Sequence, residues 1–165
     1  MVSMAKLTLY IAAISLLCCF PVAAETLSQT VQVSAVIEPE MTLTIEPATG
    51  PTVDLGTIRG SVSQPRLSDP VDVIVRINTN MGQPYRVTQT LASPLMNEDG
   101  NTLPPEALHF TAGAVQGPVT SGPQTVFSSA QGSSELHTVT YQLEVPADQP
   151  GGTYHGAFMM TVVPE

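Results

Sequence analysis

The feature that most narrows the fold is a two-residue alternation recurring between dense turn-forming clusters. In "PVDVIVRIN" (70–78), Val71, Val73, Val75 and Ile77 fall on one face and Asp72, Ile74, Arg76 and Asn78 on the other. "YRVTQTL" (85–91) groups Tyr85, Val87, Gln89 and Leu91, and "ELHTVTYQLEV" (135–145) groups His137, Val139, Tyr141, Leu143 and Val145. "TYHGAFMMTVV" (153–163) keeps Tyr154, Phe158, Met160 and Val162 in phase. Side chains of a strand alternate between the two sheet faces, so such runs bury one face and wet the other. Four further candidates are Gln29 to Ile37, Met41 to Ile45, Leu108 to Thr111 and Thr125 to Ser128, with Val53 to Ile58 as a short edge piece. Between them lie "EPATGP" (46–51), "NTNMGQP" (78–84), "NEDGN" (97–101), "LPPEA" (103–107), "QGPVTSGP" (116–123) and "PADQPGG" (146–152). Short strands spaced by such clusters, without helical periodicity, predict an all-β fold: a two-sheet antiparallel sandwich of about seven to eight strands, with a barrel as the alternative. The stretch from Thr111 to Gly132 reads as loop with one short strand inside it.

The first residues read as a processing segment. Lys6 precedes an apolar run from Leu7 to Phe20, which ends at "PVAA" with Val22 and Ala24 at the −3 and −1 positions of a cut before Glu25. That pattern predicts a cleaved secretory signal peptide over 1–24, because the run is shorter than the ~20 apolar residues that span a bilayer. The expected organisation is then a leader, an N-terminal strand over 25–38, and one sandwich domain over 39–165. Both cysteines, Cys18 and Cys19, leave with the leader, so the mature domain depends on its core without a disulfide.

Lys6 is also the only lysine, leaving Arg59, Arg66, Arg76 and Arg86 against all fourteen acids. Binding a phosphate backbone requires basic side chains that displace counterions, so nucleic acid is not expected as a partner. Membrane contact is expected only through an uncleaved leader.

Catalytic patterns are sparse. His109, His137 and His155 have no compact metal-ligand spacing, and no metal or cofactor is expected. "NEDGN" reads as a tight turn built on Asp99-Gly100, since it lacks the spaced acids and terminal glutamate of a calcium loop. No Gly-x-Ser-x-Gly elbow occurs, and no enzymatic activity is expected.

Both ends carry a resemblance. "TVQVSAVIEPEMTLTI" resembles the mature N-terminus of pilins of the colonisation-factor class of alternate chaperone–usher fimbriae, where an alternating Val/Thr-rich strand meets an acidic-Pro step and a second apolar strand. "PADQPGGTYHGAFMMTVV" resembles that family's entry into its final strand, and "GQPYRVTQTL" is a weaker match. The resemblance implies an incomplete antiparallel immunoglobulin-like β-sandwich whose open place is filled by the N-terminal strand of another copy. It implies a donor strand with Val31, Val33, Ala35 and Ile37 entering a neighbour's groove. It further implies a groove-bordering last strand with Tyr154, Phe158, Met160 and Val162. The implied partners are further copies of the chain in a fibre, a periplasmic chaperone and an usher. The implied route runs through the periplasm to the cell surface, with a role in adhesion. The chain departs from the pattern at Pro164-Glu165, because proline donates no ladder hydrogen bond. The alternative reading is a self-contained secreted or periplasmic binding module that works through loops 97–105 and 113–123.

Overall fold

The computed structural model describes residue 29, residues 32–47 and residues 52–165. The leader and Val31 lie outside them. Ile37–Glu165 forms one compact unit, and it holds all the strands described below. Its strands are β1 (Met41–Pro47), β2 (Arg66–Leu67), β3 (Val71–Thr79), β4 (Tyr85–Met96), β5 (Leu108–Ala112), β6 (Val115–Pro118), β7 (Gln124–Ser129), β8 (Glu135–Val145) and β9 (His155–Pro164). One 3₁₀ turn, Pro105–Ala107, sits within the proline-rich "LPPEA" cluster. The fold is all-β, and every pairing is antiparallel.

The strands form two sheets. One runs β1-β3-β8-β5-β6, with β2 paired to the far end of β8; the other runs β7-β4-β9. The alternation has the expected phase. Val73, Val75 and Ile77 of β3, Tyr85, Val87 and Gln89 of β4, and Val139, Tyr141 and Leu143 of β8 are all buried between the sheets. Charged and hydroxyl residues of the same strands point outward, as at Asp72, Arg76 and Arg86.

Among the described residues there are nine strands, against about seven to eight expected, for local reasons. The Thr111–Gly132 stretch contains β6 as well as β7, because Gly113, at φ +60°, turns the chain back onto β5. β2 continues the β3 side of β8 beyond Asp69-Pro70: Leu67 lies opposite Glu144, and the Ser68 N–H donates to Leu143 O at 2.8 Å. Val53 to Ile58 is not a strand. Val53, Leu55 and Ile58 pack against the core from irregular chain, with Asp54 accepting the Gly56 N–H at 2.9 Å. β4 runs five residues past the expected end at Leu91, and Pro94 is accommodated by register shifts against β9 between Leu91 and Met96.

Candidate strand-addition site

Apart from the two-residue β2, which pairs only β8, the two sheets leave four free edges among the described residues: β1, β6, β7 and β9. The chain passes from the end of β6 at Pro118 to the start of β7 at Gln124. So short a connection puts those two edges on one flank of a sandwich whose sheets pack about 10 Å apart. β1 and β9 therefore share the opposite flank.

Exposed edges invite pairing, and proteins blunt them with short strands, charges, prolines or bulges. β6 is four residues long and contains Gly117 and Pro118. β7 is six residues long and meets β4 through a register shift. β1 carries Glu46, which accepts Arg76 Nε–H at 3.4 Å. β9 also meets β4 through register shifts, but only over His155–Phe158; from Phe158 to Pro164 its register is regular. Its ten residues, "HGAFMMTVVP", include no Lys, Arg, Asp or Glu, and their one proline is the last of them. Among the described residues β9 pairs with β4 alone.

The strand order shows what the β9 edge lacks. In an immunoglobulin-like sandwich one sheet runs A-B-E-D and the other contains C, F and G. β1-β3-β8-β5 reproduces A-B-E-D, and β4 and β9 take the places of C and F. β7 flanks β4 on the far side, where variable-type domains place C′, although it comes later in this chain. Among the described residues no strand occupies the place of G beside β9. Inward side chains on that flank are correspondingly under-covered. Met41 and Leu43 of β1, and Phe158 and Val162 of β9, pack on the core yet stay partly exposed.

Of the four last-strand residues expected to face a groove, Met160 is buried and Phe158 stacks on Tyr141, with ring centroids 4.7 Å apart. Val162 lies opposite Val87 of β4. Tyr154 falls one residue before β9 and works as a loop anchor. Its hydroxyl donates to Pro150 O at 2.7 Å and accepts Gln149 Nε2–H at 2.8 Å. The chain then enters β9 close against β4, where a Cβ on Gly156 would stand 3.0 Å from Leu95. Behind β9, Gln89 is fully buried; its Oε1 accepts the Tyr141 hydroxyl at 2.8 Å, while its Nε2 has no hydrogen-bond partner. Burial also raises the Tyr141 hydroxyl above its ordinary range.

Of the expected N-terminal strand, residues 29 and 32–38 are among those described. Residues 32–40 belong to no strand and are exposed, Val33 at 91% and Ile37 at 83%, with Ala35 exposed between them. A strand is defined by its ladder, and among the described residues this period-two pattern has no neighbour to pair with.

The remaining candidates are dispersed. His109 of β5 lies opposite Gln142 and pairs with Glu144 at 3.5 Å. His137 of β8 contacts Glu135 at 2.8 Å and stacks on Phe127 at 3.9 Å, and His155 opens β9 in the other sheet. Among the described residues no group of three or more His, Cys, Asp or Glu side chains is placed to hold a metal ion. A cleft of about 340 Å³ near His109 and Glu144 is walled by Pro65, Pro104 and Pro146, and its lining includes no hydroxyl or thiol. "NEDGN" closes on itself: Asn97 Oδ1 accepts the Asn101 N–H at 2.8 Å, and Gly100 adopts φ +81°. Of the two loops considered for binding, 113–123 is largely the β5–β6 hairpin and 97–105 is this self-bonded turn.

Sequence reasoning missed one polar cluster. Glu135 accepts hydrogen bonds from Ser129 Oγ and, at 3.1 Å, from Ser133 Oγ, besides its contact with His137. The Ser129 bond chiefly holds its carboxyl below the ordinary range, against burial, with smaller help from His137 and Ser133. The carboxylate, not the imidazole, sits between serine and histidine, so the histidine is not placed to take the serine proton.

No family model matches the chain, and no curated protein does. Among solved structures, the chain is similar to a family 123 glycoside hydrolase from Clostridium perfringens, described for glycolipid glycan hydrolysis. The identity is 15% and the TM-score 0.40, over 63% of this chain and 19% of that one. The chain thus spans about a fifth of that protein, and a likeness of this size carries no argument about activity.

Proposed function

We propose that this chain is a secreted, non-enzymatic structural subunit that assembles by strand exchange. In this reading the 29–37 segment of one copy adds to the free edge of β9 in the next. The carrying observation is that edge: ten residues, uncharged apart from His155, beside an unfilled strand position in an otherwise complete sheet order. Strand addition takes affinity from main-chain hydrogen bonds and register from alternate side chains entering pockets. Val31, Val33, Ala35 and Ile37 supply that alternation, and the exposure of Val33, Ala35 and Ile37 leaves them available to another molecule. A chaperone would guard the same β9 edge before assembly, and an usher would deliver the subunit to the cell surface as part of a fibre.

The test uses purified mature protein on an unboiled denaturing gel. The expected result is a ladder of resistant multimers that collapses on boiling and is absent from a Val33→Asp/Ile37→Asp variant. A wild-type monomer with residues 29–37 protected from amide exchange within its own sheet would overturn the reading.

A further inference from the structure

The root of the N-terminal segment is held by one residue, Asn80, through its backbone and its side chain. Met41 opens β1 opposite Thr79 of β3. Past that pair the ladder continues through Asn80, whose N–H donates to Glu40 O at 3.2 Å. The Asn80 side chain then bonds in both directions. Its Oδ1 accepts the Glu40 N–H at 2.7 Å, and its Nδ2 donates to Glu38 O at 2.9 Å. These bonds straddle Pro39, which has no N–H of its own, fixes its own φ and keeps Glu38 extended. Asn80 is itself backed by a fixed neighbour. The Thr79 N–H donates to Ser134 Oγ at 2.9 Å, Ser134 Oγ–H donates to Thr79 O at 3.2 Å, and Thr79 Oγ1 accepts the Met81 N–H at 3.1 Å.

We infer that Asn80 is a positioning residue: it holds the Glu38–Glu40 step from which the N-terminal segment departs, and so limits how one copy can swing relative to the next. This rests on the strand-exchange reading. The residue type fits the task, because the clamp needs a donor and an acceptor on one short side chain. Aspartate would supply no donor and would set a third carboxylate beside Glu38 and Glu40. The clamp lies in the first residues of the compact unit Ile37–Glu165. A segment rooted this way joins two bodies through a stiff Glu38-Pro39-Glu40 step, whereas an unclamped root would let successive bodies swing.

The experiment compares full-length mature wild type, Asn80→Ala and Asn80→Asp. The Ala variant removes both side-chain bonds, and the Asp variant keeps only the acceptor for Glu40. All three are expected to form boiling-sensitive multimers and to melt within a few degrees of one another, because β9 and the core are untouched. Fibre persistence length in electron micrographs is expected to fall several-fold for Asn80→Ala, with Asn80→Asp between. In wild type the Glu40 amide is expected to be protected from hydrogen exchange, a readout that needs no variant to fold. Fibres of Asn80→Ala as straight as wild type, or an unprotected Glu40 amide, would overturn the inference while leaving strand exchange standing. A wild type that never multimerises would overturn both.

Discussion

Gly132 lies buried where the chain turns toward β8, at φ +61°, and a Cβ built there would stand 2.0 Å from Gln83 O. That contact is with backbone, which has little room to give. Gly132→Ala is therefore expected to cost several kcal/mol, roughly the upper range of single substitutions, read as a lowered denaturant midpoint. The Gln89–Tyr141 pair makes an opposite kind of prediction. Tyr141→Phe strips Gln89 Oε1 of its partner beside an Nε2 that already has none, and is expected to cost about 1–3 kcal/mol. Adding Gln89→Leu is expected to recover most of that loss, because replacing both partners removes the buried unmet polarity. Glu135 gives a pH dependence. Its folded value is depressed, so its contribution is present above the ordinary carboxylate value and is lost as pH falls through the lower folded value. Denaturant titrations across that acidic window should show the loss in wild type and a flatter limb in Glu135→Gln. At this scale the sequence was legible where phase alone decides burial, as at Val75 and Val139. It was silent on the Ser129–Glu135–His137 contacts, which join two strands through a turn.

Among elements, the long alternating runs were readable and the short ones were not. β3 and β8 are long enough for a hydrophobic face to fix their register, whereas β2 and β6 are defined only by the strands they lie against. Residues 29–37 show the same dependence in reverse: strong β-patterning, yet no strand in the described part of the isolated chain. β9 is the element on which the proposed function turns. Met159 is exposed at 56% in its middle, so Met159→Lys is expected to leave the melting temperature nearly unchanged, with a shift within about 0.5 kcal/mol. The same change puts a guarding charge on the strand and is expected to reduce multimer yield on the unboiled gel.

For the whole molecule, the strand-exchange reading predicts a body that is stabilised when a strand is added beside β9. A synthetic peptide spanning residues 29–38 should raise the melting temperature of the mature protein in a concentration-dependent way. The expected gain is about 2.7 kcal/mol when free peptide reaches 100 times its dissociation constant. A peptide carrying Asp at the positions of Val33 and Ile37 should have no effect. The amino-acid order by itself determined the all-β class, the phase of the core and the presence of an apolar last strand, because those follow from a periodicity of two and from local turn chemistry. Tertiary structure alone decided which edge stays open. Strand neighbours are chosen by long-range packing and by the flank to which each connection returns, and neither quantity is written in any single stretch of the chain.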